Sequence, residues 1–175
     1  MYILYFIGFN FIIYSFLGWI IEELYCFFLN RTFKKEGFLS GTIKPMYGIA
    51  MTTLILLYEY LNINAVYSII LFFVIPSAVE YISGYLLNSL FNRKYWSYSD
   101  LRFNLNGYIC LRFSIYWMIL SLVGVYVLQN ELDKFYYIMN GGLLKAIVAM
   151  VNIFITLDFI EKVMKLNEKP VVGIK

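Results

Sequence analysis

An all-α polytopic membrane bundle of about five transmembrane helices is the fold this sequence predicts, with the N-terminus outside and the C-terminus cytoplasmic. Three observations predict it. Of the 175 residues, 62% are hydrophobic and 14% charged, and the mean hydropathy is +0.72, too few charges to coat a water-soluble globule. Apolar runs recur at lengths near the ~20 residues a helical span needs. The basic residues gather in alternate connections. The whole chain, 1–175, reads as a single integral-membrane domain. No basic stretch precedes the first apolar run and no small-residue cleavage site follows it, so an uncleaved first span is expected.

The first helix runs from about Ile3 to Phe28, uncharged from Met1 to Ile21. The second, from about Pro45 to Leu61, is the weakest: Pro45 to Tyr58 covers only ~21 Å, against a hydrocarbon core of ~30 Å. It must tilt, borrow from "GFLSGTI" or be partly re-entrant, although Pro45 suits a helix start. "LNIN" (Leu61 to Asn64) is short and polar enough for a tight turn. The third helix spans Ala65–Leu90, the fourth Asn106–Leu128, and the fifth Phe135–Leu157 or a little beyond. Cys26 and Cys110 fall in or beside apolar runs and read as buried thiols more than a disulfide. The 36 aromatic residues, 17 Tyr, 16 Phe and 3 Trp, suit interfacial belts and helix packing.

Orientation follows from charge. The first loop holds Arg31, Lys34, Lys35 and Lys44, the third holds Arg93, Lys94 and Arg102, and the tail holds Lys162, Lys165, Lys169 and Lys175. The 61–64 turn has no basic residue and the 129–134 loop only Lys134. Five spans put all three basic segments on one side, in agreement with the positive-inside rule. The net charge of +3 then reflects topology and anionic lipid headgroups as partners; no basic stripe suggests nucleic acid. The chain contains no histidine, which removes the commonest transition-metal ligand and general base. No cofactor is expected, and the sequence alone leaves open whether a metal binds.

The polar residues inside the spans carry the functional reading. On the first helix Ser15, Gly18, Glu22 and Tyr25 share one face, lined with small and polar groups, with Glu22 ~28 Å along the helix, near the inner interface. Glu23 is turned ~100° away and is expected to face headgroup water. On the third helix Ser77, Glu80, Gly84 and Asn88 form a second such face, just after Pro76. Glu80 lies ~15 Å from the cytoplasmic end, too deep to snorkel easily, and an acid there is by default a functional-site hypothesis, the alternative being an interhelical link. The fourth helix carries a small-residue seam of Gly107, Cys110, Ser114, Trp117, Ser121 and Gly124. Arg112 lies off it and faces either a neighbouring helix or the headgroups. Asp158, four residues before Lys162, has an ordinary structural explanation in that pairing. Glu22, Glu80, Asp158 and Arg112 thus come from four helices and all project to the inner half. Two loops, "GFLSGTIKPMYG" and "WSYSDLRFNLNG", could fold back beside them as lids or backbone-lined walls.

The stretches "FLGWIIEELY", "GFLSGTIKPMYG", "EYISGYLL" and "WSYSDLRFNLNGYICLRFSIYW" cover Phe16 to Trp117, about three fifths of the chain. In their order and spacing the chain resembles the type IV, CmpB-like family of ABC-transporter permease proteins, small bacterial membrane proteins. By resemblance, Gly18, Glu22 and Tyr25 of the first helix and Gly37, Gly41, Pro45, Tyr47 and Gly48 of the first loop and second helix occupy motif positions. So do Glu80, Tyr81 and Gly84 of the third helix, and Trp96, Tyr98, Ser99, Asn104, Gly107 and Ser114 beyond it. The chain departs from the pattern at Asn88, Ser97 and Tyr108, where the family usually reads Glu, Asp and Arg; one economical account is a charge network lost as a set.

The expected function is a component of membrane transport in the bacterial cytoplasmic membrane, with an acidic, cytoplasm-facing site for a cation or polar solute. Glu22, Glu80, Tyr81, Asp158 and Arg112 are its candidate binding residues. Tyr47, Trp96, Tyr98, Ser99 and Asn104 are candidates for loop coupling, and Gly18, Gly84, Gly107 and Ser114 for helix packing. The chain has no G-x-x-x-x-G-K-[ST] phosphate cradle, so an ATP-driven system would need a separate ATPase. Expected partners are membrane lipid and either further copies or other transporter subunits. The alternatives are a non-transporting subunit that docks a cytoplasmic partner and, less favoured for want of a D-x-x-D cluster or a Ser-His pair, a lipid-headgroup enzyme.

Overall fold

The computed structural model describes residues 2–33, 38–39, 41–61, 64–139 and 141–168. Gly37, Lys34, Lys35 and the tail residues Lys169 and Lys175 lie outside these.

Helix α1 (Tyr2–Asn30) is followed by α2 (Pro45–Leu61) and α3 (Ala65–Phe91). A small hairpin of β1 (Asn104–Leu105) and β2 (Ile109–Cys110) comes next, then α4 (Leu111–Ile138) and α5 (Gly142–Glu168). Four of these helices, α1, α3, α4 and α5, are long and apolar enough to cross a membrane. The chain is an all-α bundle. At 17 residues, α2 reaches only ~26 Å.

The reason α2 can be short lies in how the chain returns to it. The Lys44 amide donates to the Ser15 carbonyl at 3.1 Å, halfway along α1, so the segment before Pro45 runs back beside α1 before the helix begins. Gly18 and Gly48 make that approach possible. A Cβ on Gly18 would overlap the Tyr47 ring, and one on Gly48 would overlap Ser15 and the Phe11 carbonyl. Small residues at a crossing let helix backbones approach closely in a membrane.

The hairpin corrects the expectation that the fourth helix starts at Asn106. Asn106 and Gly107 both have positive φ, 54° and 72°, and the Tyr108 amide donates to Leu105 at 3.0 Å. This is the type I′ geometry that an Asn-Gly pair favours. Gly107 is therefore a turn residue and not part of a helix seam; a Cβ there would also meet Ser99 Oγ at 2.5 Å. Helix α4 begins only at Leu111 and continues past Leu128 through a π-helical turn, Gly124–Leu128, so 129–134 is helix and not loop. The last helix begins at Gly142 instead of Phe135, and runs beyond Leu157 to Glu168.

Along the bundle α1 packs on α2, α2 on α3 and α3 on α4, while the extensive helix contact of α5 is with α1 alone. The core at one end gathers Phe6, Phe9, Leu54, Phe72 and Tyr136, with the Tyr136 ring against Phe6 and Phe9. At the other end Phe38 touches Tyr95 and Phe159. The first loop, the segment after α3 and the last part of α5 thus meet there.

Candidate functional site

Glu80 is 3% exposed, one turn after Pro76, whose missing N–H frees the carbonyl four residues earlier. Its two oxygens are engaged by different elements. Tyr98, in the segment before the hairpin, donates its hydroxyl to Oε1 at 2.8 Å. Trp117, on α4, donates its indole N–H to Oε2 at 2.9 Å. Burial, and then the adjacent Glu80 carboxylate, push the Tyr98 hydroxyl well above its ordinary pKa, so it remains a donor across the physiological range. A carboxylate offers about four lone-pair sites, so two donors leave room for a further ligand. Neutral donors shield this carboxylate without cancelling a negative charge on it.

Tyr98 is held rigidly. Its ring stacks on Phe113 at 4.7 Å, and its amide donates to Gly107 at 2.8 Å. Asn104 ties the loop together, donating to Leu101 at 2.8 Å and accepting from the Gly107 amide at 3.1 Å. The Ser99 and Ser97 hydroxyls bond each other at 2.9 Å. Trp96 donates to the Tyr108 carbonyl at 2.9 Å and lies over Gly84, where a Cβ would meet its ring at 3.1 Å and Tyr108 at 3.0 Å. Trp96, Ser99, Asn104, Gly84 and Gly107 are thus the frame that aims Tyr98 at Glu80. Tyr81 belongs to the same frame: its hydroxyl accepts from Asn106 at 2.9 Å.

Glu22 stands beside this centre and is met by Lys44 at 3.3 Å, with both side chains about 15% exposed. Lys44 is thus a half-buried countercharge, carried in by the returning first loop. Tyr47 lines the same recess as Glu80, its hydroxyl hydrogen-bonds Glu22, and its ring meets Trp117 at 4.7 Å. Glu23, expected to face headgroup water, is 8% exposed.

The tertiary structure brings Glu22, Tyr47, Glu80 and Tyr98 together, with Gly18 under Tyr47 and Ser114 3% exposed on α4. Arg112 and Asp158 take other places. Arg112 is exposed and donates to the Tyr116 hydroxyl at 3.0 Å, one turn along its own helix. Asp158 is half-buried on α5, next to the Phe159–Phe38 contact. Trp117 and Lys44 are missing from the sequence-based candidates. Trp117 does sit on the α4 seam with Ser114 and Ser121, which is the signal that could have nominated it; for Lys44 the sequence holds no equivalent signal.

A multi-pass α-helical membrane protein with a buried carboxylate held by aromatic donors is what the fold and this site define. The chain belongs to the family described as "Putative ABC-transporter type IV" (ABC_trans_CmpB), whose model matches residues 9–163. No curated protein and no solved structure matches it.

Proposed function

We propose that this protein is the membrane part of a transport system in the bacterial cytoplasmic membrane and that Glu80 is its cation- or proton-sensitive group, with Glu22 as its structural neighbour. One observation carries the reading. Glu80 is buried within a span, and the groups placed on it are neutral hydrogen-bond donors from two separate elements, whereas the neighbouring Glu22 has a lysine. An intramembrane acid of this kind marks an ion or proton path more often than it serves packing. The basic end formed by Arg31, Arg93, Lys94, Arg102 and Lys162 supports a cytoplasmic placement by the positive-inside rule, and the site then lies in the cytoplasmic half of the bundle. Driving energy would come from a separate ATPase, since the chain has no phosphate cradle.

The test is flux in lipid vesicles made with the protein and the subunits that accompany it out of its own membrane, read with proton- and potassium-sensitive dyes. Glu80→Gln should reduce flux to the level of empty vesicles without lowering Tm. Normal flux in Glu80→Gln would remove Glu80 from the mechanism.

A non-transporting docking subunit is the second reading. It draws support from Phe103, 79% exposed, and Leu105, 53% exposed, on the hairpin, and not from Trp96 or Tyr98, which point inward. Replacing Phe103 and Leu105 with serine should release a bound partner if docking is the role.

A further inference from the structure

Beside Glu80 lies an apolar cavity of about 120 Å³. The small recess that contains Glu80 shares Tyr47, Ala50, Pro76 and Trp117 with its wall, so the carboxylate and the cavity are neighbours through two aromatic rings. Apart from Ser121 and the polar tips of Tyr14, Tyr47 and Trp117, the lining is hydrocarbon and glycine. A cavity of that chemistry does not hold ordered water; it takes apolar molecules. Its outer rim includes Ile21, 39% exposed, and Val123, 52% exposed. These belong to α1 and α4, whose side chains meet to either side of this stretch, Tyr14 with Gly124 and Tyr25 with Phe113. The rim therefore opens sideways, toward the hydrocarbon of the bilayer.

Resting on the transport reading above, we infer that the substrate is an amphiphilic ammonium whose hydrocarbon body fills this cavity and whose cation sits against Tyr47, Trp117 and Glu80. The two ends of the site ask for the two ends of such a molecule. Aromatic faces attract ammonium groups, more strongly where water is excluded, and the Tyr47 and Trp117 rings, 4.7 Å apart at 56°, line the same recess as the acid. Glu80 supplies the charge complement and keeps lone pairs beyond the two already used. Size limits the tail: an apolar cavity of ~150 Å³ accommodates benzene, six carbons, so one of about 120 Å³ takes roughly five carbons. Entry from the bilayer would let the tail lead and the ammonium follow to the carboxylate.

The full chain in phosphatidylcholine nanodiscs, with empty nanodiscs subtracted, tests this with radiolabelled n-butylammonium and methylammonium. Butylammonium should bind saturably and at least ~10-fold more tightly than methylammonium, a difference of ~1.4 kcal/mol. Ser121→Phe, which fills the cavity, should abolish that difference, and Glu80→Gln should weaken both amines. If Ser121→Phe does not fold, Gly124→Ala serves in its place: the added methyl overlaps the flexible end of Met51 and touches Tyr14 at ordinary contact distance, and since all three residues line the cavity it takes up part of that space, so the difference should shrink. Equal affinity for the two amines, lost in Glu80→Gln, would overturn the cavity inference and leave the acidic site standing. Binding of neither amine would also overturn it, and the acidic site would then stand or fall by the ion-flux assay alone.

Discussion

Glu22 and Glu80 are two acids in one neighbourhood, and their surroundings differ in kind. Glu22 has a lysine at 3.3 Å; Glu80 has a phenol and an indole. An ion pair removed from water is held together by its own compensation, and its net worth is small or even negative against an apolar replacement. A carboxylate supplied only with neutral donors keeps its capacity to take a proton or a cation. On the proposed reading Glu22 is architectural, the anchor that draws Lys44 and the start of α2 against α1, and Glu80 is functional.

The strongest way to break this assignment is to neutralise each acid in turn. Glu80→Gln should abolish flux, while Glu22→Gln should retain it and mainly lower stability; the reverse pattern in the vesicle assay would exchange their roles. Next in size is Lys44→Met, which removes the cation from the part-buried Glu22 and should cost ~1.5–3 kcal/mol, read as a fall in Tm. The double variant Glu22→Gln/Lys44→Met should recover most of that loss, because both charges are then gone. No recovery would mean that Lys44 serves something other than Glu22.

Smaller effects sharpen the Glu80 side. Trp117→Phe keeps the ring and removes the N–H, and should cost ~1.5–3 kcal/mol if Glu80 is ionised but only ~0.5–1.5 if it is protonated. The size of the change thus reports the charge state of Glu80. Gly107→Ala is expected to cost ~1–2 kcal/mol through its left-handed backbone alone, since φ there is 72°. Because Gly107 accepts from the Tyr98 amide, this substitution should also loosen the Tyr98–Glu80 bond and reduce flux in part.

A different contrast concerns what replaces charge. Asn88 and Tyr108, two of the three positions that depart from the family pattern, donate and accept a hydrogen bond at 2.9 Å, at the point where α3 meets the hairpin. The resemblance implies an acid and an arginine at these two positions in relatives, which would be partners at that spacing. Ser97, the third, bonds Ser99 within the loop. The neutral pair keeps the hairpin against α3 without charge.

The sequence by itself determined the solvent, the helical class and the placing of acids within the spans. Hydropathy and length are properties of a segment alone, and a membrane imposes the helix on any long apolar run because backbone groups there must be satisfied internally. Pro45, Leu61 and Ala65 mark helix ends in the sequence and in the structure. The Asn-Gly pair at 106–107 was legible too, but the apolar run after it masked the turn, and with it the true start of α4. What only the tertiary structure decided was which groups meet. The first loop carries Lys44 back halfway along α1 to Glu22, and α4 turns Trp117, 37 residues along the chain from Glu80, toward the same carboxylate that Tyr98 reaches from the loop. Those choices depend on the return path of loops and on close approach at Gly18, Gly48 and Gly84, and non-local packing of that kind leaves no periodic trace in composition.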